Sequence, residues 1–194
     1  MTPSTHLRRW LNDLANHNLS WTQVCPYSRF QPWVIQASMR FQPGFTIRKL
    51  EPHETLLAFP IVQQLRYHLD REEFQRLLDV QTSLHGYCLY GAIAANGSIL
   101  GVIGLRPVCT LARGDHLHID DLVVNEADRG RQIGRELLRF AEELARARGM
   151  RSIFLDSRQG VEEFYQSLGY LPHSATLMRK SISFVHVNPS GSSQ

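Results

Sequence analysis

Hydrophobic and polar residues follow clear periods along the first half of the main domain. Residues 46–50 alternate as in a β-strand, and residues 53–83 carry apolar side chains at helical spacing, which predicts two helices. Two apolar runs follow, over residues 87–94 and 99–105. The turn between them contains Asn96-Gly97, a pair that favours a tight connection between antiparallel strands. These residues therefore predict a strand, two helices and a β-hairpin.

The second half of the chain continues the alternation of strands and helices. Its clearest element is a helix over 133–148, in which the apolar residues Ile133, Leu137, Ala141 and Leu144 share one face. The other predicted elements are strands over 116–124, 152–155 and 175–183 and a helix over 161–168. The resulting order predicts an α/β (α+β) fold, with helices on the faces of a mixed, mostly antiparallel sheet.

The ends of the chain differ from this domain in composition. Residues 1–44 predict an N-terminal extension with an amphipathic helix over 7–14, and its role, covering the acceptor cleft or forming a homodimer, stays open. Residues 45–184 form the predicted main domain. Residues 185–194 are rich in Pro, Gly and Ser and predict a disordered tail.

Composition and charge exclude several classes of protein. The chain of 194 residues has a net charge of +3 and no apolar run long enough to cross a bilayer, so no membrane partner is expected. Arginines within 129–151 alternate with glutamates, which favours a solvated helix face over a nucleic-acid interface. Cys25, Cys88 and Cys109 are widely spaced, which is typical of a reducing compartment and predicts a cytoplasmic protein.

The junction between the strand at 116–124 and the helix at 133–148 carries the strongest chemical signal. A helix N-terminus offers free N–H groups and a positive dipole end to an anion. Arg129, Arg131 and Arg135 surround this end, and Gly130 and Gly134 permit close approach of a ligand to the backbone. The spacing matches neither a P-loop nor a Rossmann fingerprint. The junction predicts a pyrophosphate site.

Several stretches in this order resemble the GNAT family of N-acetyltransferases. At the junction, Asp121-Leu122-Val123-Val124 is followed, after four residues, by Arg129-Gly130-Arg131-Gln132-Ile133-Gly134. Residues 104–106, 111–117, 155–157 and 163–170 resemble one bacterial subgroup whose acceptor is unassigned. The likeness covers about residues 45–183 and implies the GNAT fold, with acetyl-CoA as the acetyl donor.

The resemblance also implies which residues bind the coenzyme. Its pyrophosphate would be held by Arg129, Gly130, Arg131, Gln132, Ile133, Gly134 and Arg135. A bulge kinks the preceding strand in this family, which would turn the backbone of Leu122, Val123 and Val124 toward the pantetheine arm. Two positions depart from the family: Gln132 replaces a usual Gly, and Arg158 replaces a frequent Asn. Gln132 would weaken binding if its φ must be positive; we expect instead that only its N–H matters and that its side chain points outward.

The chemistry at the thioester needs a base, an acid and an oxyanion donor. The resemblance places Tyr165 near the coenzyme sulfur as general acid, although helical spacing alone favours a packing role. His118 is a candidate base, Asp120 or Asp121 a candidate group for orienting the amine, and the N–H near Val124 a candidate oxyanion donor. His118 as a hydrogen-bonded sheet residue, and Asp121 as the partner of Arg106 or Arg113, remain open. His116, His118 and Asp120 lack a further ligand for a metal, so no metal is expected.

These observations favour an N-acetyltransferase that transfers acetyl to a primary amine by direct attack in a ternary complex. The acceptor class, a small-molecule or a peptide amine, is not specified by the sequence. The alternative is a non-catalytic module that binds or senses acyl-CoA. Nucleic-acid binding through the Arg-rich helix ranks last, because its arginines alternate with glutamates. Such binding would show an affinity that falls steeply with salt concentration.

Overall fold

A computed structural model describes residues 39–41 and 44–182 of the chain. The described residues divide into two compact units, one ending at Asp156 and the other beginning at Ser157. The first unit holds the sheet and most helices, and the second holds one short helix.

One six-stranded sheet organises the first unit, and its strands lie side by side in chain order. All neighbouring pairs are antiparallel except the last, β5 with β6, which is parallel. β1 belongs to the segment that the sequence predicts as an extension, so that segment contributes an edge strand. The strands are β1 (Met39–Phe41), β2 (Phe45–Lys49), β3 (Cys88–Ala94), β4 (Ile99–Thr110), β5 (Gly114–Val124) and β6 (Ile153–Leu155).

Three helices, rather than the two predicted, connect β2 to β3. The first is capped by reciprocal hydrogen bonds between Glu51 and Glu54, and Pro60 lies in the first turn of the second, where its missing N–H costs nothing. The third begins after Asp70, whose side chain accepts a hydrogen bond from the Glu73 N–H, and ends at Gly86. These helices are α1 (Pro52–Thr55), α2 (Phe59–Leu65) and α3 (Arg71–His85).

Helices cover both faces of the sheet. On one face, α2 and α3 pack Val62, Phe74 and Leu78 against Leu89 and Val102. On the other lies α4 (Ile133–Ala147), with the ring of Phe140 centred 4.9 Å from that of Tyr90. Each fully buried Leu or Phe contributes roughly 1.5–3 kcal/mol, so the sheet is fixed between two apolar layers. The predicted α/β fold class is confirmed.

The strand predicted over 175–183 is wrong for the residues that the structure describes. Residues 175–182 form no strand and are exposed; Leu177 and Met178 are 78% and 84% accessible. Two adjacent apolar residues followed by two adjacent basic ones do not alternate, so neither side of a strand would be consistently apolar. Among residues 157–182 of the second unit, α5 (Glu162–Gln166) is the one regular element, and it is shorter than predicted.

The predicted helix over 7–14 and the tail at 185–194 lie outside the described residues. Among the helices that are described, none combines the length and the apolar character needed to cross a membrane.

Candidate active site

A β-bulge in β5 places four consecutive residues at one cavity. Gly104 of β4 is opposite Asp121 and Leu105 is opposite Ile119, so Asp120 is the extra residue. In a regular strand, successive side chains point to opposite faces. The bulge interrupts this alternation, and residues 118–121 all line the same cavity.

Asp120 forms the first of two half-buried polar networks. Its carboxylate accepts two hydrogen bonds from Arg106, both of 2.8 Å, and its Oδ1 lies 3.1 Å from Nδ1 of His118. Burial would raise the pKa of this carboxyl, but the neighbouring His118 and the hydrogen bonds from Arg106 outweigh it and lower the pKa to about 2. Asp120 is thus ionised at neutral pH and lies beside the His118 imidazole, whose buried Nδ1 has no well-directed hydrogen bond among the described residues.

Asp121 forms the second network with two residues far away in the sequence. Arg66, at the end of α2, donates to Asp121 Oδ1 at 2.8 Å and to the backbone oxygen of Asp120 at 2.7 Å. The Tyr87 hydroxyl donates to Asp121 Oδ2 at 2.9 Å. Burial, with the charge of Asp121, raises the pKa of Tyr87 well above its usual range, so Tyr87 stays protonated. Asp121 therefore pairs with Arg66, and neither Arg106 nor Arg113 is its partner.

Gly104 permits this second network to form. A Cβ at this position would lie 2.0 Å from the Tyr87 hydroxyl oxygen, which no real contact tolerates. The phenol of Tyr87 crosses the strand in the space that a side chain would fill. Gly104 is thus required by packing, in a strand position where glycine otherwise lowers stability.

A cavity of about 370 Å³ opens in front of these networks. Its lining combines apolar side chains of α2, α3 and the loop between them with the side chains of residues 118–121 of β5 and with Asp156. Its volume lies within the range of small-molecule sites. His118, Asp120 and Asp121 are brought together here, whereas the alternation of a regular strand would place Asp121 on the face opposite His118 and Asp120. His116 is not among them: it is buried, with Nδ1 2.9 Å from the Gly114 oxygen, and it packs on Phe154.

Beyond this cavity, β5 has an open edge. β6 pairs only with residues 117–119 of β5. The Asn125 N–H bonds to the Leu100 oxygen, so Val124 and Gly101 form a non-hydrogen-bonded pair whose polar groups point away from each other. The N–H groups of Leu122 and Val124 therefore face the side of β5 opposite β4, where a ligand rich in amides can pair with them.

The loop between β5 and α4 is held by its own ion pairs. Arg129 lies 3.4 Å from Glu126, and Arg131 pairs closely with Asp128; both arginines remain more than half exposed. Gly130 has a φ of +80°, and the fifteen-residue helix α4 begins three residues later. The first N–H groups of α4 have no partner within the helix. The residues that the sequence predicts for pyrophosphate binding thus surround a free helix N-terminus.

Gln132 departs from what the sequence analysis expects. Its φ is +64°, which makes it the one non-glycine residue with a positive φ in the described part of the chain. The positive φ at this position explains why the family usually has glycine here. The Gln132 side chain is exposed, as expected, so it does not fill the loop.

Replacing Gln132 with glycine should raise the free energy of unfolding by about 0.5–1 kcal/mol. A left-handed backbone costs residues other than glycine about 1–2 kcal/mol, and the substitution removes this strain. Part of the benefit is cancelled because glycine has more conformational entropy to lose on folding. Urea unfolding measures the difference. The matched control is Gln75→Gly within α3, which should lower stability by about 1 kcal/mol. A loss of stability in Gln132→Gly would contradict the role of its backbone.

Two predicted site residues belong to the second unit. Tyr165 lies on α5, where its half-buried ring packs against the rings of Phe164 and Tyr170. Burial raises the pKa of its hydroxyl. Arg158 lies exposed in the loop before α5, and its backbone oxygen accepts hydrogen bonds from Ser157 and Val161. Both assignments to the site remain predictions.

No group of three His, Cys, Asp or Glu side chains suited to a metal ion occurs in residues 44–182. Arg113, the other candidate partner for Asp121, lies over the ring of Phe154 at 4.3 Å.

Comparison with known proteins points to one family. The sequence model described as the Acetyltransferase (GNAT) family matches residues 51–170. An uncharacterized N-acetyltransferase of Bacillus subtilis (strain 168) is 30% identical over 128 residues, which cover 64% of this chain and 89% of that protein. A glucosamine 6-phosphate N-acetyltransferase of Trypanosoma brucei brucei is 33% identical over 79 residues, which cover 40% of this chain and 54% of that protein.

Solved structures agree with this match in fold. An acetyltransferase of Trypanosoma brucei superimposes with a TM-score of 0.61 at 25% identity, covering 71% of this chain and 99% of that one. A predicted acetyltransferase of Clostridium acetobutylicum, solved with acetyl-CoA, gives a TM-score of 0.58 at 16% identity, covering 70% and 96%. With the family model spanning most of the described residues, the chain belongs to the GNAT family of acetyltransferases and is an acyltransferase.

Proposed function

We propose that this protein transfers an acetyl group from acetyl-CoA to a primary amine, by direct attack of the amine within a ternary complex. The observation that carries the proposal is the His118 imidazole, which lies on the wall of the cavity beside the ion pair of Asp120 and Arg106. An imidazole next to a carboxylate and facing a cavity is an arrangement suited to proton abstraction.

The loop and the open edge fit the two halves of the coenzyme. The free N-terminus of α4, with Arg129, Arg131 and Arg135, suits a pyrophosphate, and the outward N–H groups of Leu122 and Val124 suit the amides of a pantetheine arm. When bound, the coenzyme supplies the acetyl group as a thioester. Arg158 is proposed as a further contact on the strength of its position in the family motif alone.

His118 is the residue best suited to accept the proton of the amine. The Asp120 carboxylate, 3.1 Å from His118 Nδ1, favours the tautomer with the proton on Nδ1, which leaves Nε2 as an acceptor. Asp120 is a weaker candidate, because Arg106 and His118 engage its oxygens and its pKa is lowered to about 2. We therefore assign Asp120 to positioning, and Asp121, bound by Arg66 and Tyr87, to shaping the cavity wall.

The remaining steps use backbone and phenol groups. As the new N–C bond forms, the Val124 N–H polarises the carbonyl oxygen; as the C–S bond breaks, the Tyr165 hydroxyl gives its proton to the departing thiolate. Burial raises the pKa of Tyr165, so its hydroxyl carries the proton that the departing thiolate accepts. The proton that the amine loses passes to His118.

Tyr165→Phe should lower kcat at least tenfold, because general acid catalysis contributes about 10²–10⁴ and water replaces part of it. Its affinity for acetyl-CoA should stay within twofold, since the aromatic ring remains. Phe164→Leu, a neighbouring change that leaves the hydroxyl in place, is the control. Full activity of Tyr165→Phe would assign Tyr165 to packing.

The proposed function is tested by measuring release of the coenzyme thiol with a panel of amines, including glucosamine 6-phosphate, the substrate for which one relative is named. We expect turnover with at least one primary amine. Binding of acetyl-CoA without turnover on any amine would favour the non-catalytic module instead.

A further inference from the structure

The cavity has two walls of opposite character. Its apolar wall is contributed by the helices α2 and α3 and the loop between them and consists of Val62, Leu69, Phe74, Leu77 and Leu78. The lining also holds the carboxylates of Asp120, Asp121 and Asp156 and a single guanidinium, that of Arg66, with His68, His118 and Tyr87 as the remaining titratable groups. The cavity is therefore suited to a molecule with an apolar body and a positive charge.

The three carboxylates differ in how far the protein itself engages them. Asp120 is bound by Arg106 and His118, and Asp121 by Arg66 and Tyr87. Asp156 is exposed and makes no hydrogen bond or ion pair within the described residues, although it lines the same cavity. It directly follows Leu155, which is paired in parallel register with Ile119, so it lies level with Asp120 where β5 and β6 separate.

We infer that Asp156 binds the ammonium group of the acceptor, and that the acceptor is a small amine on an apolar body without a phosphate. This inference deepens the proposed function and rests on it. The amine binds as a cation against the free carboxylate, and its apolar part lies on Phe74 and its neighbours. The ammonium loses one proton to solvent to become the neutral nucleophile, and His118 on the adjacent strand takes the second proton as the N–C bond forms.

The charges of the cavity disfavour a phosphorylated amino sugar. A phosphate group needs donors with free hydrogen-bonding capacity. Arg66, the one guanidinium among the lining residues, donates two of its five N–H groups to Asp121 and to the Asp120 backbone, and its positive charge is already paired with the Asp121 carboxylate. A phosphate placed here would meet three carboxylates and an apolar wall, so its desolvation would be poorly compensated. The acceptor class thus differs from the one for which the Trypanosoma relative is named.

The test measures equilibrium binding of 2-phenylethylamine and of glucosamine 6-phosphate to the full chain by calorimetry. 2-Phenylethylamine should bind at least tenfold more tightly. Asp156→Asn should weaken its binding about tenfold, the loss expected for a hydrogen bond to a charged group. Asp115→Asn, the same change at an exposed residue outside the cavity, is the control and should bind like wild type. Affinity for acetyl-CoA should be equal in all three proteins.

Tighter binding of glucosamine 6-phosphate, unchanged binding of 2-phenylethylamine to Asp156→Asn, or no binding of either compound would each overturn the inference. Its failure is distinguishable from failure of the proposed function, because thiol release is measured separately. Acetylation of glucosamine 6-phosphate would refute the assigned acceptor and leave the transferase in place. If 2-phenylethylamine binds through Asp156 but no amine is acetylated, the proposed transferase function is refuted and the proposed class of ligand stands.

Discussion

His118→Gln should lower kcat about a hundredfold with an acceptor that the enzyme acetylates. A glutamine side chain can still donate a hydrogen bond to Asp120, which lies 3.1 Å from His118 Nδ1, so the ion pair between Asp120 and Arg106 should persist. What the variant loses is an acceptor for the proton of the amine, and such catalysis contributes about 10²–10⁴ in rate. Steady-state kinetics across pH provide the measurement.

The pH profile separates a base from a residue that only packs. With a pKa of about 2, Asp120 stays ionised at every pH of the assay, so its protonation does not shape the kcat profile. A loss of rate at low pH that is present in the wild type and absent from His118→Gln would identify the replaced residue as the base. His85→Gln, at an exposed position in the last turn of α3, is the matched control and should keep both the rate and the profile. A His118→Gln enzyme with the wild-type rate and an unchanged profile would exclude His118 as the base.

The sequence predicts the fold well where one face of an element is apolar. The strong period of Ile133, Leu137, Ala141 and Leu144 defines α4, which the structure places within one residue of the predicted end. The hairpin of β3 and β4 follows from two apolar runs and an Asn-Gly turn. These signals are local, because they depend on residues a few positions apart.

The site was less predictable, because its contacts are long-range. Tyr87 and Asp121 are 34 positions apart, and Arg66 and Asp121 are 55 apart. No period links such residues; the bulge at Asp120 and the missing side chain at Gly104 bring them together. One available signal was Gly104 itself, a glycine within an otherwise apolar strand, which often marks a bulge or a close approach.

The bulge also explains why adjacent acidic residues have separate tasks. Without it, Asp120 and Asp121 would point to opposite faces of β5. With it, both line the cavity, yet each is held by a different arginine, Arg106 on the neighbouring strand and Arg66 on α2. Each pair keeps the negative charge of its carboxylate compensated, so neither carboxylate needs a ligand. This leaves Asp156 as the carboxylate available to a cationic acceptor.

Gly134→Trp should abolish binding of acetyl-CoA, because an indole in the first turn of α4 would occupy the space at the free N–H groups. Acetyl-CoA at about a hundred times its dissociation constant should stabilise the wild type by roughly 2.7 kcal/mol and the variant not at all, as a thermal-shift assay would show. The fold should persist, since tryptophan has a better helix propensity than glycine. Arg139→Trp, which adds the same indole at an exposed position of α4, should retain full binding. Equal stabilisation of Gly134→Trp and the wild type would show that the coenzyme is held elsewhere, because the helix end cannot accept both a diphosphate and an indole.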